Sequence, residues 1–418
     1  MAHFSKANSI GEWLDQRLAT KKLWKVLAAE YWVPKNINFL WAMGVVLMTM
    51  FSILVISGIF LLMYYKPDVH LAFDSVNYTI MQEAYYGWLW RHMHAVAASV
   101  VFLVIYIHMF TGIYYGSYKQ GREMIWISGM LLFVTFSAEA FSGYMLPWGQ
   151  MSYWAAQVIT NLFGGIPFIG PDLVIWIRGN FYVADSTLTR FFMLHVFLLP
   201  LVIMAIIGLH FYSLRIPHVN NQDGEDIDFD YEAEKYKNGQ KRESKVIPFW
   251  PVFISKDLFV VGVFMIFYFY LVGFHYEFAM DPINFEPANP MKTPPHIYPE
   301  WYFLWSYEVL RGFFFDIGPF KAMSIGLTAF GIANVIFFFL PWLDKSPVVA
   351  PAHKRGAFKY WFWILVIDMI ILTVYGKLPP TGANAWIGFF ASITFLALLL
   401  VVLPIITKKE AKSVGGAA

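Results

Sequence analysis

The sequence predicts an all-α, polytopic membrane protein of eight transmembrane helices. Three observations lead there. Of 418 residues, 58% are hydrophobic and only 14% charged, too apolar for the surface of an ordinary soluble domain. Apolar runs of about 20 residues, the length that crosses ~30 Å of hydrocarbon at ~1.5 Å per residue, recur along the whole chain. The alternating ten-residue pattern of a barrel is missing, so helices must satisfy the backbone.

The eight runs are Asn38 to Tyr65, Trp88 to Tyr115, Met124 to Tyr144, Thr187 to Leu214, Asp257 to Tyr276, Ala322 to Leu343, Phe358 to Gly376 and Asn384 to Thr407. Before them, residues 1–37 form an N-terminal interfacial segment in which Ile10, Trp13, Leu14, Leu18 and Leu23 are set among charges, the pattern of a helix lying in the headgroup plane. Residues 38–218 carry the first four spans. Residues 219–256, charged and poor in aliphatic side chains, read as a cytoplasmic linker, and residues 257–418 carry the last four spans. Two loops, Leu146 to Ser186 and Glu277 to Lys321, are longer than a connection requires and dense in Trp, Pro and Gly; long ordered loops carry function. When the loops are assigned alternately to the two sides, twenty-two of the thirty Lys and Arg fall on the side of the N-terminus, which places both termini in the cytoplasm. The basic clusters are topology signals rather than nucleic-acid sites, and no nucleic-acid partner is expected. The chain has no cysteine, which excludes thiolate iron-sulfur ligation and covalent c-type haem within it.

Four of the eleven histidines form a pattern inside the spans: His94 and His108 in the second, His195 and His210 in the fourth. Steps of fourteen and fifteen residues leave rotations of about −40° and +60° in a regular helix, so each pair lies on roughly one face, about 21 to 22 Å apart in depth. His94 and His195 then share the outer depth, and His108 and His210 the inner. Imidazoles in hydrocarbon are costly unless bonded. Zinc or copper would want further ligands close by, and the spans offer few. Two facing imidazoles per level suit a planar macrocycle ligated from both sides, so two non-covalent b-type haems are expected. Such groups need room. Gly44 and Gly58 in the first span, and Gly129 and Gly143 in the third, repeat the fourteen-residue step at the same two depths, where a missing side chain admits a cofactor. Arg91, at the outer start of the second span, is placed to neutralise a haem carboxylate.

The stretches "RHMHAVAAS", "GYMLPWGQMSYWAAQVITN", "TLTRFFMLH", "PFWPVFISKDL" and "PEWYFLWSYEVLR" resemble the cytochrome b subunit of quinol:cytochrome c oxidoreductase, the bc-type complex, over nearly the whole length. The resemblance implies a fold whose first four helices form a dihaem four-helix bundle, and a respiratory subunit that oxidises quinol at an outer site, passes electrons through the two haems and reduces quinone at an inner site, building proton-motive force. It implies His94 and His195 as ligands of the outer, lower-potential haem, and His108 and His210 as ligands of the inner one. It also implies Glu300 as proton carrier, with Tyr302 and Tyr144 as pocket tyrosines, and Lys256 and Asp257 at the inner quinone site. Its partners would be a Rieske iron-sulfur protein, a c-type cytochrome subunit, membrane lipid and a second copy of the complex, in the cytoplasmic membrane.

The chain departs from that pattern in places. Arg215 stands where relatives carry an inner-site histidine, with His218 slightly later, and Thr111 replaces an arginine. Arg122, Lys119 or Arg215 is then the cation for the inner haem carboxylates. The fifteen-residue step from His195 to His210, with Pro200 inside it, asks for a local bulge. Two other readings compete: another quinone-linked membrane dihaem cytochrome, and a transporter whose histidines serve protons or metal ions.

Overall fold

The computed structural model describes residues 9–119 and 121–415, without the side chains of Leu23, Val26 and Leu27. Eight helices are long and apolar enough to cross a membrane: Phe39–Leu62, Gly87–Tyr114, Glu123–Met145, Asp185–Arg215, Phe249–Phe274, Ala322–Leu343, Phe358–Lys377 and Ala383–Val414. They are called the first to eighth spans below. The first packs along the second and the third along the fourth, while the seventh packs on the eighth and on an outer-loop helix, Leu304–Arg311. The second span is the hub, far more of it buried than of the fourth. One apolar core, including Met50, Val100, Phe102, Phe133, Val309, Phe337 and Phe395, runs through both halves.

Inside hydrocarbon, a carbonyl freed by a break in the helical ladder must find another donor. Aromatic N–H groups supply it here. Trp126 donates to Phe337 O (2.6 Å) within a tight helical turn, Ile336–Phe339, and Trp361 donates to Leu398 O (2.7 Å) at a widened one, Leu398–Val402. The Tyr268 hydroxyl donates to Met93 O at 2.7 Å and so ties the fifth span to the second.

The N-terminal segment contains a helix, Ile10–Leu18, capped by Ser9, whose hydroxyl accepts from Glu12 N at 3.1 Å. Of the apolar residues expected at an interface, Ile10, Trp13 and Leu18 are exposed and Leu14 is half-buried; the first eight residues and the Leu23 side chain lie outside the described residues. The linker is more ordered than its composition suggests. It contains a helix, Phe229–Lys237, and a strand, Val246–Pro248, paired antiparallel with Trp32–Pro34 of the N-terminal segment. The fifth span also starts earlier than expected, at Phe249, with a break at Trp250 and regular α-helix from Ile254. Charge at Lys256 and Asp257 disguised that start in the sequence, because Asp257 is buried while Lys256 is exposed.

Candidate functional site

The four span histidines meet as two facing pairs. The imidazole centroids of His94 and His195 are 6.1 Å apart, and those of His108 and His210 are 6.5 Å apart. Two imidazoles that each reach one metal through a nitrogen at about 2.0 Å hold their centroids about 6 Å apart. Among the described residues no group of three or more His, Cys, Asp or Glu converges as a metal site, so a metal held here needs its remaining ligands from something else, such as a macrocycle.

Hydrogen bonding fixes which nitrogen is free. Ser57 Oγ lies 2.9 Å from His94 Nδ1 and donates its own proton to Ile53 O at 2.6 Å. Ser128 Oγ lies 2.9 Å from His210 Nδ1 and donates to Met124 O at 2.7 Å. A hydroxyl has one proton to give, so each imidazole must be the donor at Nδ1. His195 Nδ1 likewise faces the carbonyl oxygen of Glu139 at 3.1 Å. In all three rings the proton sits on Nδ1 and the Nε2 lone pair is left for a ligand, the arrangement that orients metal-binding histidines.

Three of the four glycines stand against these rings. A Cβ on Gly58 would come 3.4 Å from His94 Cε1, one on Gly129 3.3 Å from His210 Cε1, and one on Gly143 would collide with His195. A Cβ on Gly44 would meet nothing within 4 Å. The serines were missed in the sequence, although each directly precedes its glycine in "Ser57-Gly58" and "Ser128-Gly129", a repeat that could have signalled them.

The fifteen-residue step is absorbed by a widened π turn, Leu194–Leu198, immediately ahead of Pro200. Proline has no N–H to give to the ladder, and the wider turn takes up one extra residue. His195 and His210 are thereby brought back towards the rotation that fourteen regular residues leave.

A cavity of about 300 Å³ is bounded by His94, His195, Gly58, Gly143, Arg91 and Glu139, and reaches Tyr144, Asp281, Glu300 and Tyr302. Arg91 donates to Asn77 Oδ1 at 2.8 Å. Tyr144 lines this cavity beside Glu300. Burial, and next the charge of Asp281, raise the proton affinity of Glu300 to a pKa of about 7. Tyr302 is buried with its ring stacked on Phe102 at 4.0 Å, and its carbonyl accepts from Tyr106 at 2.5 Å. Trp301 donates to Ser99 Oγ at 2.7 Å. Ser99, Phe102 and Tyr106 lie on a face of the second span turned by roughly 80° to 140° from His94, so this helix presents an imidazole to one side and holds the "PEWY" loop on the other. Across that loop lies a second, apolar cavity of about 440 Å³, bounded in part by Phe141, Val158, Tyr298, Pro299, Phe303 and Tyr307.

The two long loops are stitched together at this place. Asn284 Oδ1 accepts from Ser152 N at 2.9 Å, Glu286 O accepts from Gln150 N at 2.9 Å, and Asn289 N donates to Gln150 Oε1 at 2.8 Å. Gly149 is required for that approach, because a Cβ there would strike Asn284. Asp281, which also accepts from Tyr298 at 3.1 Å, was not anticipated; lone loop carboxylates carry no signal until the fold brings them together.

On the inner side Arg215 lies over the ring of Tyr31 at 3.7 Å and near Phe249 at 5.7 Å, and His218 stacks between Tyr31 and Phe229. Arg215 Nη1, Tyr31 Oη and His218 Nδ1 are buried without hydrogen-bond partners. Arg122 donates to the carbonyls of Pro217 and His218. Among the described residues no hydrogen bond or ion pair joins Arg215 to Lys256 or Asp257. Lys119 is committed elsewhere, 2.7 Å from Asp344, which leaves Arg122 and Arg215 of the three candidate cations.

Two family profiles match, "Cytochrome b/b6/petB" over residues 28–217 and "Cytochrome b(C-terminal)/b6/petD" over residues 287–396. Cytochrome b of Rhodobacter capsulatus is 40% identical, covering 98% of this chain and 93% of that protein, and cytochrome b of Rickettsia bellii is 42% identical, covering 97% and 95%. A solved chain of a "Hyperthermophilic respiratory Complex III" superposes with a TM-score of 0.87 at 38% identity, covering 96% of this chain and 100% of that one. With both halves matched and relatives aligned almost end to end, the chain belongs to the cytochrome b/b6 family.

Proposed function

We propose that the chain is the dihaem cytochrome b subunit of a respiratory quinol:cytochrome c reductase. The observation that carries this is the pairing of imidazoles at two depths, each pair spaced as two rings would be that held one metal between them. His94 and His195 would hold the outer haem and His108 and His210 the inner. When bound, the haems supply one-electron carriers at two depths, linking an outer site to an inner one.

The chain's own residues then do the following. The apolar cavity beside Tyr298, Pro299 and Tyr307 receives the ring of a quinol, whose oxidation releases two electrons and two protons. Glu300, on the other side of the loop, takes a proton, because a carboxyl that titrates near neutrality is matched to that task. Tyr144 stands beside Glu300, and Asp281 offers the next acceptor along the same wall. Tyr302, locked on Phe102, fixes the loop so that the carboxyl stays in reach. Arg91 neutralises the carboxylates of the outer group. On the inner face, Arg215, Lys256 and Asp257 bind and protonate quinone, with His218 and Tyr31 as added members of that site. Gly44, Gly58, Gly129 and Gly143 leave the clearance.

Residues 1–37 lie at the interface, 38–218 form the dihaem domain, 219–256 the linker and 257–418 the second membrane domain, with both termini cytoplasmic. A Rieske iron-sulfur protein takes the first electron, a c-type cytochrome follows, and the complex is a homodimer in the cytoplasmic membrane. The test is anaerobic addition of quinol to the purified complex while b-type absorption is followed. Reduction of both b-type components supports the reading, and a complex that oxidises no quinol overturns it.

A further inference from the structure

The apolar cavity of about 440 Å³ carries an unequal set of polar groups. Six hydroxyl-bearing residues interrupt its wall, and each has already given its proton away. Ser137 and Ser142 (both 2.8 Å), Thr160 (2.7 Å) and Ser306 (3.0 Å) donate to main-chain carbonyls three or four residues earlier. Tyr307 donates to Ile297 O at 3.3 Å, and Tyr298 to the Asp281 carboxylate at 3.1 Å. A carbonyl oxygen only accepts, which fixes the direction of these bonds. Trp305 spends its N–H on Tyr106 Oη at 2.8 Å. To answer a carbonyl on a ligand, any of these groups would have to abandon a partner in hydrocarbon, where no water replaces it.

Asn334, on the sixth span, is the one side-chain amide on this wall. Its Nδ2 donates to Phe330 O at 2.8 Å, which pins the nitrogen end to its own helix and leaves Oδ1 as the other end. Among the described residues nothing donates to Oδ1. The residue is half-buried, and an amide within a span is costly unless its polar atoms are answered. The side chains of the wall therefore offer lone pairs in excess, against a single uncommitted proton, the second N–H of Asn334. A quinol brings two hydroxyl protons where a quinone brings two carbonyl oxygens. Resting on the quinol reading above, we propose that this cavity selects its substrate in the reduced state, with Asn334 as a substrate-binding residue whose Oδ1 accepts from a quinol hydroxyl. Once two electrons and two protons have left, the ring has only acceptors to set against acceptors, and the product leaves the place where it formed.

The experiment is steady-state kinetics of the purified complex with a short-tailed ubiquinol, ferricytochrome c as electron acceptor, and the matching ubiquinone added as inhibitor. The part of the inhibition that competes with quinol reports this cavity. A complex that oxidises no quinol would sink the functional reading and this inference with it, whereas one that turns over tests the selection by itself. In wild type the inhibition constant of the quinone should exceed the KM of the quinol about tenfold, the size of one hydrogen bond; a constant equal to that KM or below it overturns the proposal. Asn334→Leu should raise KM about tenfold with kcat little changed, as expected for a bond made on binding, and should move the quinone constant less. Asn334→Thr, whose hydroxyl can bond Phe330 O and still offer a lone pair, should return KM towards wild type. An unchanged KM in the leucine variant, or a threonine variant impaired to the same degree, overturns the role of Asn334. If the leucine variant does not assemble with its haems, the wild-type constants and a near-normal KM in the threonine variant decide the matter.

Discussion

At the scale of single residues, the arrangement rests on which atom of each side chain is free. Replacing His108 or His210 should remove the inner b-type signal while much of the outer one remains; equal loss of both in difference spectra would break the assignment of levels. Glu300→Gln should slow quinol oxidation on the order of a hundredfold, the range expected for loss of a general base, at unchanged haem content. The sign of its pH dependence follows from the raised pKa of about 7. Below that value the carboxyl already carries its proton and cannot accept another, so wild-type turnover should climb as pH rises through about 7. In the glutamine variant that rise should be absent, and a profile identical to wild type would dismiss the role. The four span histidines and Glu300 could be singled out because their residue types are rare in a membrane span or carried by a distinctive motif. Ser57, Ser128 and Asp281 could not, because serine is common in membrane helices and a lone carboxylate gains meaning only from what the fold sets beside it.

At the scale of elements, apolar length alone placed the spans, since hydrocarbon thickness dictates it, except at the start of the fifth, Phe249 rather than Asp257, and the end of the eighth, Val414 rather than Thr407. What apolarity cannot disclose is local winding. The π turn at Leu194–Leu198 was foreshadowed by Pro200 and the odd interval between histidines, whereas the start at Phe249 was masked by Lys256 and Asp257. Removing Phe197 should let the turn revert to regular α-helix, leaving His195 and His210 fourteen apart, and both b-type signals should survive. Inserting one alanine after Met204, by contrast, swings His210 by about 100° and should abolish the inner signal. If the deletion instead destroys the inner signal, the turn does not absorb the added residue. The linker illustrates a different limit: its charged composition concealed a helix and a strand, because the partner of that strand, Trp32–Pro34, lies over two hundred residues away.

At the scale of the whole molecule, the halves are locked, on the side where the linker lies, by charges that nothing in the sequence connects. Asp344, after the sixth span, accepts from Lys119 (2.7 Å), Tyr118 (2.5 Å) and both terminal nitrogens of Arg355 (2.9 and 3.1 Å), and Arg355 also reaches Glu410 of the eighth span at 2.7 Å. Burial alone would raise the Asp344 pKa, but Arg355 and Lys119 outweigh it and hold the carboxyl below its ordinary value. Removing one member of a buried network strands the others, at a cost of about 3–5 kcal/mol. Arg355→Met should therefore lower thermal stability of the detergent-solubilised complex markedly, with the midpoints of both haems unaltered; a variant as heat-stable as wild type would show that the network is not a clamp. The central claim, that each facing histidine pair grips one haem, is tested most directly by a density map of the purified complex. The account predicts one flat macrocycle between His94 and His195 and another between His108 and His210, each bonded through Nε2. Density for fewer than two, or imidazoles turned away from the gaps, would contradict it.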